Sequence, residues 1–220
     1  MRSMVRPGVR LDIFSDVVCP WCYLGHHRLV RAIEGLGADA ARIELRWRAY
    51  QLDPGAGAEP RELRPAIEAK YGPGAFDAMQ SRLGRLGSEA GIEYRFDRAL
   101  RVGTLDAHRL VLWAQEEHPE STGEVVDRLF RGYFTEGCNI ADHPTLVRLA
   151  SEVGLDAARV AEVLESSRGS EEVAADIEDA MAIGVTGVPA VVFNGAVVLP
   201  GAQDVDSTRR VLARLLDRVG

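Results

Sequence analysis

Alternating apolar and polar residues or short apolar runs mark four short segments of the chain as strands. Residues 9–14 alternate and are rich in strand-forming side chains, which predicts a first strand. Residues 42–52 alternate between apolar and charged side chains, which predicts a second strand. Near the C-terminal end, residues 188–193 and 196–200 are short apolar runs separated by Asn194-Gly195, a dipeptide typical of a tight hairpin turn.

Helical periodicity dominates the rest of the chain. After a pair of cysteines, apolar residues that include Leu29 and Ile33 share one face of a predicted helix. Between the second and third strands, only residues 93–96 are expected to form a short extended piece. Two later helices are predicted over residues 170–183 and 206–218, on either side of the hairpin. Apolar spacing between the second and third strands predicts helices over residues 61–71, 75–90, 106–117, 123–135, 144–153 and 156–167.

The order of these elements predicts the fold class. When the block of helices is set aside, the remaining elements follow a thioredoxin-like order, βαβ and then αββα. We therefore predict an α/β protein with a thioredoxin-like fold and a large all-helical insertion between the second and third strands. The first part of the thioredoxin-like domain is expected over residues 1–58, the insertion over 59–168 and the second part over 169–220.

Charge and composition exclude several functional classes. The formal net charge is −7, and the 26 basic residues are scattered among 33 acidic ones, so the basic surface of a nucleic-acid-binding protein is missing. No apolar stretch approaches the roughly 18 residues of a membrane span, and residues 1–10 lack an apolar leader segment. We therefore expect a cytoplasmic protein that binds neither nucleic acid nor membranes.

The cysteines carry the most specific chemistry in the chain. There are three, Cys19, Cys22 and Cys138, and so small and odd a number argues against a disulfide scaffold. Cys19 and Cys22 lie where the first strand passes into the first helix. Helix N-termini and Cys-x-x-Cys motifs favour the thiolate, so Cys19 is predicted to be the nucleophile and the deeper Cys22 to resolve the mixed disulfide. Pro20 suits the first helical turn, where its missing N–H is no loss.

A second signal lies far away in the sequence, at the start of the third strand. A proline such as Pro189 does not normally sit inside a strand ladder. A cis bond between Val188 and Pro189 would make a tight bend, which in thioredoxin-like folds lies against the active-site cysteines. The exposed backbone of Val188 would then be able to pair with an extended substrate.

These residues resemble the DsbA family, and within it the FrnE-like branch of cytoplasmic disulfide oxidoreductases. The resemblance extends over nearly the whole chain, and the cysteine run and the Val-Pro run are its most specific parts. The runs that carry it are residues 16–25, Trp47-Arg48, Gln51-Leu52-Asp53-Pro54, 106–110, 134–137 and 184–189.

The resemblance implies a protein disulfide oxidoreductase with a Cys-Pro-Trp-Cys redox pair. It implies no metal and no cofactor beyond the redox-active disulfide, with glutathione as a candidate co-substrate. The expected partner is a protein or small molecule that contains a disulfide or a thiol, and a homodimer is a candidate assembly. The implied catalytic residues are Cys19 and Cys22, and the implied substrate-binding residues are Pro20, Trp21, Val188 and Pro189.

Three positions of this chain modify what the resemblance implies. Trp21 cannot carry a positive charge, so the couple is expected to be less oxidising than one with a histidine between the cysteines. Gly103 stands before Thr104 where the family is associated with an asparagine, so the contacts of that asparagine are missing or replaced. Cys138 stands where a polar or charged residue is expected, and it adds a third thiol.

Four other interpretations stay open at this point. The cysteines could be inert buried thiols, or the pair could join Cys138 and His143 in a structural zinc site. The chain could instead be a helical interaction module with vestigial cysteines. Hydroxychromene-carboxylate isomerases and kappa-class glutathione transferases look similarly built, and in them a serine commonly stands where Cys19 is. Minor alternatives are proton transfer by His26, binding of an acidic substrate group by Arg109 and a redox role for Cys138.

Overall fold

The computed structural model describes residues 8–219, so the expectation about a leader segment in residues 1–10 falls largely outside the described residues. The strands are β1 (Val9–Ser15), β2 (Ile43–Ala49), β3 (Arg61–Glu62), β4 (Leu100–Arg101), β5 (Ala190–Phe193) and β6 (Ala196–Pro200). The α-helices are α1 (Pro20–Glu34), α2 (Leu63–Tyr71), α3 (Ala75–Ala90), α4 (Leu105–Glu117), α5 (Thr122–Arg131), α6 (His143–Glu152), α7 (Ala157–Glu165), α8 (Ser170–Ala182) and α9 (Val205–Val219).

A four-stranded sheet in the order β2-β1-β5-β6 forms the centre of the fold. Strand β1 runs parallel to β2 and antiparallel to β5, and β5 pairs with β6 in an antiparallel hairpin. Asn194 and Gly195 connect the hairpin with φ values of 50° and 75°, which fits the mirror-image turn that matches strand twist. The predicted hairpin is confirmed.

Helices cover both faces of this sheet because the strands have apolar residues on both sides. Leu11 and Ile13 of β1 belong to the large core that includes side chains of α1 and α9. Phe14 points to the opposite face, where it packs with Ala180 and Val185 at the end of α8. Helices α2–α7 lie in sequence between β2 and α8. The predicted fold class, thioredoxin-like with many added helices, is confirmed, while the domain boundaries at residues 58 and 168 stay predictions.

The sequence predicts a short extended piece at residues 93–96, whereas the short strands of the insertion lie at other positions. Residues 61–62 begin a strand rather than a helix, because Arg61 and Glu62 pair with Arg101 and Leu100. Residues 93–96 form no strand; the backbone N–H of Arg95 instead donates to the carbonyl of Phe134. Residues 93–96 alternate between charged and aromatic side chains, and this alternation has another origin.

That origin is an aromatic cluster. Tyr94 and Phe96 stack on each other at 5.1 Å between ring centroids, and both rings contact Phe134. Phe134 lies in a π-helical turn over Gly132–Glu136, where the sequence predicted that an α-helix would continue to residue 135. Two aromatic residues on one side of a loop produce the same period-two pattern as a strand.

Side chains from two helices form hydrogen bonds with backbone groups of β2 at the edge of the sheet. The amide N–H of Trp47 donates to Gln115 Oε1 at 2.6 Å, and Gln115 Nε2 donates to the carbonyl of Trp47 at 3.4 Å. The amide N–H of Ala49 donates to Asp176 Oδ2 at 2.8 Å. Asp176 also pairs with Arg48, so α4 and α8 are both tied to β2.

Across residues 8–219, none of the helices combines the length and the apolar character needed to cross a membrane.

Candidate active site

Cys19 is the N-cap residue of α1. Its backbone is extended, with φ −88° and ψ 112°, and Pro20 occupies the first helical position. The amide N–H of Cys19 donates to the carbonyl of Asp16 at 2.9 Å, and its own carbonyl accepts from the N–H groups of Cys22 and Tyr23. This turn places the Cys19 side chain at the amino end of the helix, where backbone N–H groups point outward without helical partners.

The two cysteines are free thiols and are both buried, with 2% of each side chain exposed. Burial raises the pKa of the Cys22 thiol well above its usual range, and hydrogen bonding to Cys19 and the charge of Cys19 raise it further. The backbone of Asp16 and the hydroxyl of Ser15 act in the opposite direction. Cys22 is therefore held as a protonated thiol beneath Cys19.

The loop before β5 brings Val188 and Pro189 against this helix end. The peptide bond between them is cis. The thiol of Cys19 donates to the carbonyl oxygen of Val188 at 3.6 Å between sulfur and oxygen, across 169 residues of sequence. Pro189 is buried and lies against Gly25. Four of the residues singled out in the sequence, the two cysteines, Val188 and Pro189, therefore meet at one place.

Trp21 lies between the cysteines and is half-buried. The guanidinium carbon of Arg82, on α3, is 4.9 Å from the centre of its ring system. A residue of the helical insertion thus covers one part of the cysteine motif.

Tyr94 is a neighbour of the motif that the sequence did not single out. Its hydroxyl donates to the carbonyl oxygen of Pro20 at 2.5 Å. Burial, followed by the charges of Cys19, Tyr23 and Cys22, raises the pKa of Tyr94 far above its ordinary value, so the hydroxyl stays neutral and can donate. Its aromatic neighbour Phe96 is buried. The only signal for Tyr94 in the sequence was that it lies in residues 93–96, which were expected to form a short extended piece.

Asp16 is a second such neighbour, with none of its side chain exposed to solvent. Its Oδ2 accepts from the amide N–H of Leu52 at 2.7 Å, and its Oδ1 lies 3.4 Å from His108 Nε2. The same nitrogen of His108 lies 3.0 Å from the carbonyl oxygen of Tyr50. Asp16 therefore fastens the segment before Cys19 to the segment that follows β2.

An open cleft of about 750 Å³ begins beside the residue that precedes Cys19. Its wall is largely apolar, and it also includes three cationic side chains, of Arg61, Lys70 and Arg101, and two carboxylates, of Asp53 and Glu62. Residues of its lining include Val18, Ile67, Tyr71, Tyr133, Arg61 and Lys70. The cleft offers space beside Val18, the residue before Cys19, for an apolar group attached to a sulfur atom.

Arg109 has a structural environment rather than an open one. Its guanidinium donates to carbonyl oxygens in the last turn of α7 and in the loop after it, among them those of Val163 and Arg168 at 2.7 Å each. It also pairs with Asp106 at 2.6 Å. These contacts leave 4% of Arg109 exposed, so the residue secures α7 to α4 and is not positioned to bind a substrate acid.

The residues considered for a zinc site have partners of other kinds. Cys138 Sγ accepts from Arg148 at 3.3 Å, and His143 Nε2 lies 2.9 Å from Asp106 Oδ2. Over residues 8–219, no group of three or more histidine, cysteine, aspartate or glutamate side chains is arranged to hold a metal ion.

Comparison with known proteins places this geometry in context. A family model described as a DSBA-like thioredoxin domain matches residues 10–213. A protein from Streptomyces coelicolor, described as a probable DsbA oxidoreductase, has a crystal structure that superimposes with a TM-score of 0.84. The two chains are 32% identical, and the match covers 94% of this chain and 89% of the other.

Two more distant structures share the fold. The cytosolic disulfide reductase DsbM from Pseudomonas aeruginosa is 20% identical with a TM-score of 0.69, covering 96% of this chain and 100% of that chain. The same reductase has been solved with glutathione. A 2-hydroxychromene-2-carboxylate isomerase is 16% identical with a TM-score of 0.69, covering 95% of this chain and 97% of that chain. At these identities the likeness extends to the fold alone.

Proposed function

Because the chain belongs to the family of DSBA-like thioredoxin domains, we propose that it is a thiol–disulfide oxidoreductase with Cys19 as nucleophile and Cys22 as resolving thiol. One observation carries the proposal: the Cys19 sulfur lies 3.6 Å from the backbone of Val188, next to Pro189, with Cys22 buried beneath it. A nucleophilic sulfur beside a backbone carbonyl suits attack on a sulfur atom held by an extended chain.

The reaction consists of two exchanges that together move two electrons. The Cys19 thiolate attacks one sulfur of a substrate disulfide, so that a Cys19–substrate disulfide forms and the other substrate sulfur leaves as a thiolate. Cys22 then loses its proton and attacks the sulfur of Cys19. The second substrate thiolate leaves, the substrate has been reduced, and Cys19 and Cys22 are joined in a disulfide. The reverse sequence oxidises a substrate dithiol.

The surroundings of the pair suggest how a substrate is held. Pro20, Trp21, Val188 and Pro189 form the border of the site, and the apolar cleft beside Val18 receives the group attached to the reacting sulfur. Glutathione is a reasonable co-substrate, since the P. aeruginosa reductase was solved with it. That relative is a cytosolic enzyme, which supports a cytoplasmic location here. A homodimer stays a prediction.

The test is the reduction potential of the cysteine pair, measured by equilibrating the protein in glutathione buffers of graded ratio and following Trp21 fluorescence. A reversible two-electron transition between about −120 and −270 mV is expected, since working oxidoreductases lie in this range. A Cys22→Ser variant should accumulate a mixed disulfide at Cys19. If no disulfide forms between the two cysteines under any ratio, the proposal is wrong.

The second candidate is a glutathione-dependent isomerase or transferase, because the hydroxychromene-carboxylate isomerase shares the fold. The two candidates differ at Cys19. Disulfide exchange requires the sulfur, so Cys19→Ser should abolish it. An isomerase that uses only the position would keep tight glutathione binding and its activity on an aromatic substrate in this variant.

A further inference from the structure

The resolving step requires that the buried thiol of Cys22 be deprotonated. Only 2% of its side chain is exposed, and burial keeps the thiol protonated. A thiol must lose its proton to become the nucleophile. Since Cys22 itself is almost fully buried, a group beside it must take up the proton first.

A small cavity lies directly beside Cys22. Its volume is about 20 Å³, which is enough for one water molecule. Ser15, His26 and Thr208 contribute polar side chains to its lining. His26 follows Cys22 by four residues on α1, so the two side chains lie on the same face of the helix. The cavity therefore connects the thiol with an imidazole.

His26 also lines a second cavity, which is open to solvent and has a volume of about 710 Å³. In that direction its Nε2 lies 3.7 Å from Asp127 Oδ1. The carboxylate of Asp127 has 42% of its surface exposed and also contacts His27 Nε2 at 3.0 Å. His26 itself is 7% exposed and lines both the small cavity and the open one.

The two ring nitrogens of His26 have different surroundings. Nε2 faces a carboxylate, which favours a proton on this nitrogen. Nδ1 is buried and has no hydrogen-bond partner among the described side chains and backbone. A buried nitrogen with a free lone pair is rare and asks for an explanation.

We infer that His26 relays a proton during the resolving step: the imidazole takes the proton of the Cys22 thiol and passes one on toward Asp127 and solvent. The inference rests on the proposed function. Nδ1 accepts the proton of the Cys22 thiol, through the Ser15 hydroxyl or one water molecule in the small cavity. Nε2 gives its own proton toward Asp127 and the open cavity. One proton enters the ring and one leaves, while the sulfur of Cys22 bonds to that of Cys19.

The charged and titratable groups around His26 fit a proton relay in which the imidazole ring never becomes positively charged. Burial is the main cause that lowers the pKa of His26 to about 4, the charge of His27 adds to it, and Asp127 opposes it. The ring is thus neutral at pH 7, and a neutral imidazole moves a proton by exchanging tautomers. Asp16, the other buried carboxylate near the motif, accepts from the N–H of Leu52 through Oδ2, while its buried Oδ1 makes no hydrogen bond; Asp16 does not line the small cavity, which is why His26 is preferred.

The experiment separates the two exchanges with 5,5′-dithiobis(2-nitrobenzoate) in a stopped-flow instrument. Attack by Cys19 releases one coloured thiolate, and resolution by Cys22 releases the second. All variants are made in a Cys138→Ser background, which removes the third thiol. His26→Gln should slow the second release at least tenfold, toward the range typical of a lost proton-transfer group, and leave the first release unchanged. Asp127→Asn should slow the second release several-fold.

His27→Gln is the matched control, because His27 contacts Asp127 but does not line the small cavity; both releases should keep their rates. The second release should also be slower in D₂O in the parent protein, and this solvent effect should decrease in His26→Gln. The relay is wrong if His26→Gln resolves within twofold of the parent, or if both releases slow equally.

Two further outcomes keep the inference testable. If His26→Gln does not fold, Asp127→Asn and the solvent effect on the parent decide, and an unchanged second release in Asp127→Asn contradicts the relay. If the parent protein releases one thiolate and never the second, the proposed function itself fails. If the parent releases both thiolates and His26→Gln does so at the same rates, only the relay fails.

Discussion

Gly25 of α1 lies against the ring of Pro189 so closely that a Cβ on Gly25 would be 3.0 Å from Pro189 Cγ. The same Cβ would lie 3.5 Å from Ala202 Cβ. Because Gly25 follows Cys22 by three residues, this contact sets how near the Val188–Pro189 loop approaches the cysteines. The absence of a side chain at Gly25 is thus part of the construction of the site.

Gly25→Ala should move the Pro189 loop away from the cysteines by a few tenths of an ångström. We expect a decrease of severalfold in kcat/KM for a disulfide substrate, because the distance between Cys19 and the Val188 carbonyl increases. The cost in stability should be about 1–3 kcal/mol, as for other overpacked sites. Gly84→Ala is the control, since a Cβ there meets nothing within 4 Å; equal activities of the two variants would contradict the prediction.

Tyr94→Phe should lower the free energy of unfolding by about 1 kcal/mol, the usual net contribution of a hydrogen bond. The variant loses the bond to the Pro20 carbonyl and keeps the aromatic stack on Phe96. Urea denaturation measures the change. Tyr71→Phe provides the comparison, because Tyr71 is 64% exposed and its substitution should have no measurable effect. Equal stabilities of both variants would show that the Tyr94 hydroxyl is unimportant.

The protein should lose stability as the pH falls from about 6.5 to about 4. His26 has a pKa of about 4 in the folded chain against an ordinary 6.5, chiefly through burial. The unfolded chain therefore binds more protons in this window, and the free energy of unfolding decreases as the pH falls. At 1.36 kcal/mol per pH unit, the contribution of His26 is about 3 kcal/mol.

The measurement is urea denaturation of the parent and His26→Gln at pH 7 and at pH 4.5. Asp127 and His27 face His26. Burial opposes ionisation of Asp127, but the hydrogen bond from His27 and nearby positive charges outweigh it and lower the pKa of Asp127 from 3.8, so Asp127 stays ionised at pH 4.5. The parent should therefore be weaker in acid, with a smaller decrease in His26→Gln. Parallel decreases in the two proteins would show that His26 is not held neutral.

Gly103→Asn should destabilise the protein, although an asparagine is expected at this position in related chains. A Cβ on Gly103 would lie 2.8 Å from the carbonyl oxygen of Ala56, and the amide N–H of Gly103 donates to the carbonyl of Gly57 at 2.8 Å. We expect a loss of about 2 kcal/mol in thermal or urea denaturation. Gly123→Ala, which meets nothing within 4 Å, should keep the parent stability. A stable Gly103→Asn variant would mean that the loop at Ala56 moves easily.

The sequence was sufficient for the features that depend on local spacing. Alternation marked two strands of the main sheet, short apolar runs marked the other two, and Asn194-Gly195 located the hairpin. The position of Cys19 at the start of α1 followed from the strand before it and from Pro20. These signals are strong because each lies within a few residues of the chain.

The features that were missed depend on contacts between distant segments. Tyr94 meets Pro20 across 74 residues, and His108 meets Tyr50 across 58. The periodicity of a segment says that a side chain is buried but not which group it will contact. For the same reason, His26 could be considered for proton transfer from the sequence, while its place between two cavities could be found only in the structure.

The bonds from Gln115 and Asp176 to β2 bear on how the protein avoids aggregation. An uncovered edge strand offers its backbone to any other chain and can seed intermolecular sheets. At Trp47 the N–H and carbonyl groups, and at Ala49 the N–H group, already bond to side chains. Another chain therefore meets fewer free backbone groups along β2 than along β6, the other edge strand of the sheet. Two helix side chains thus protect β2 against aggregation when the protein is abundant.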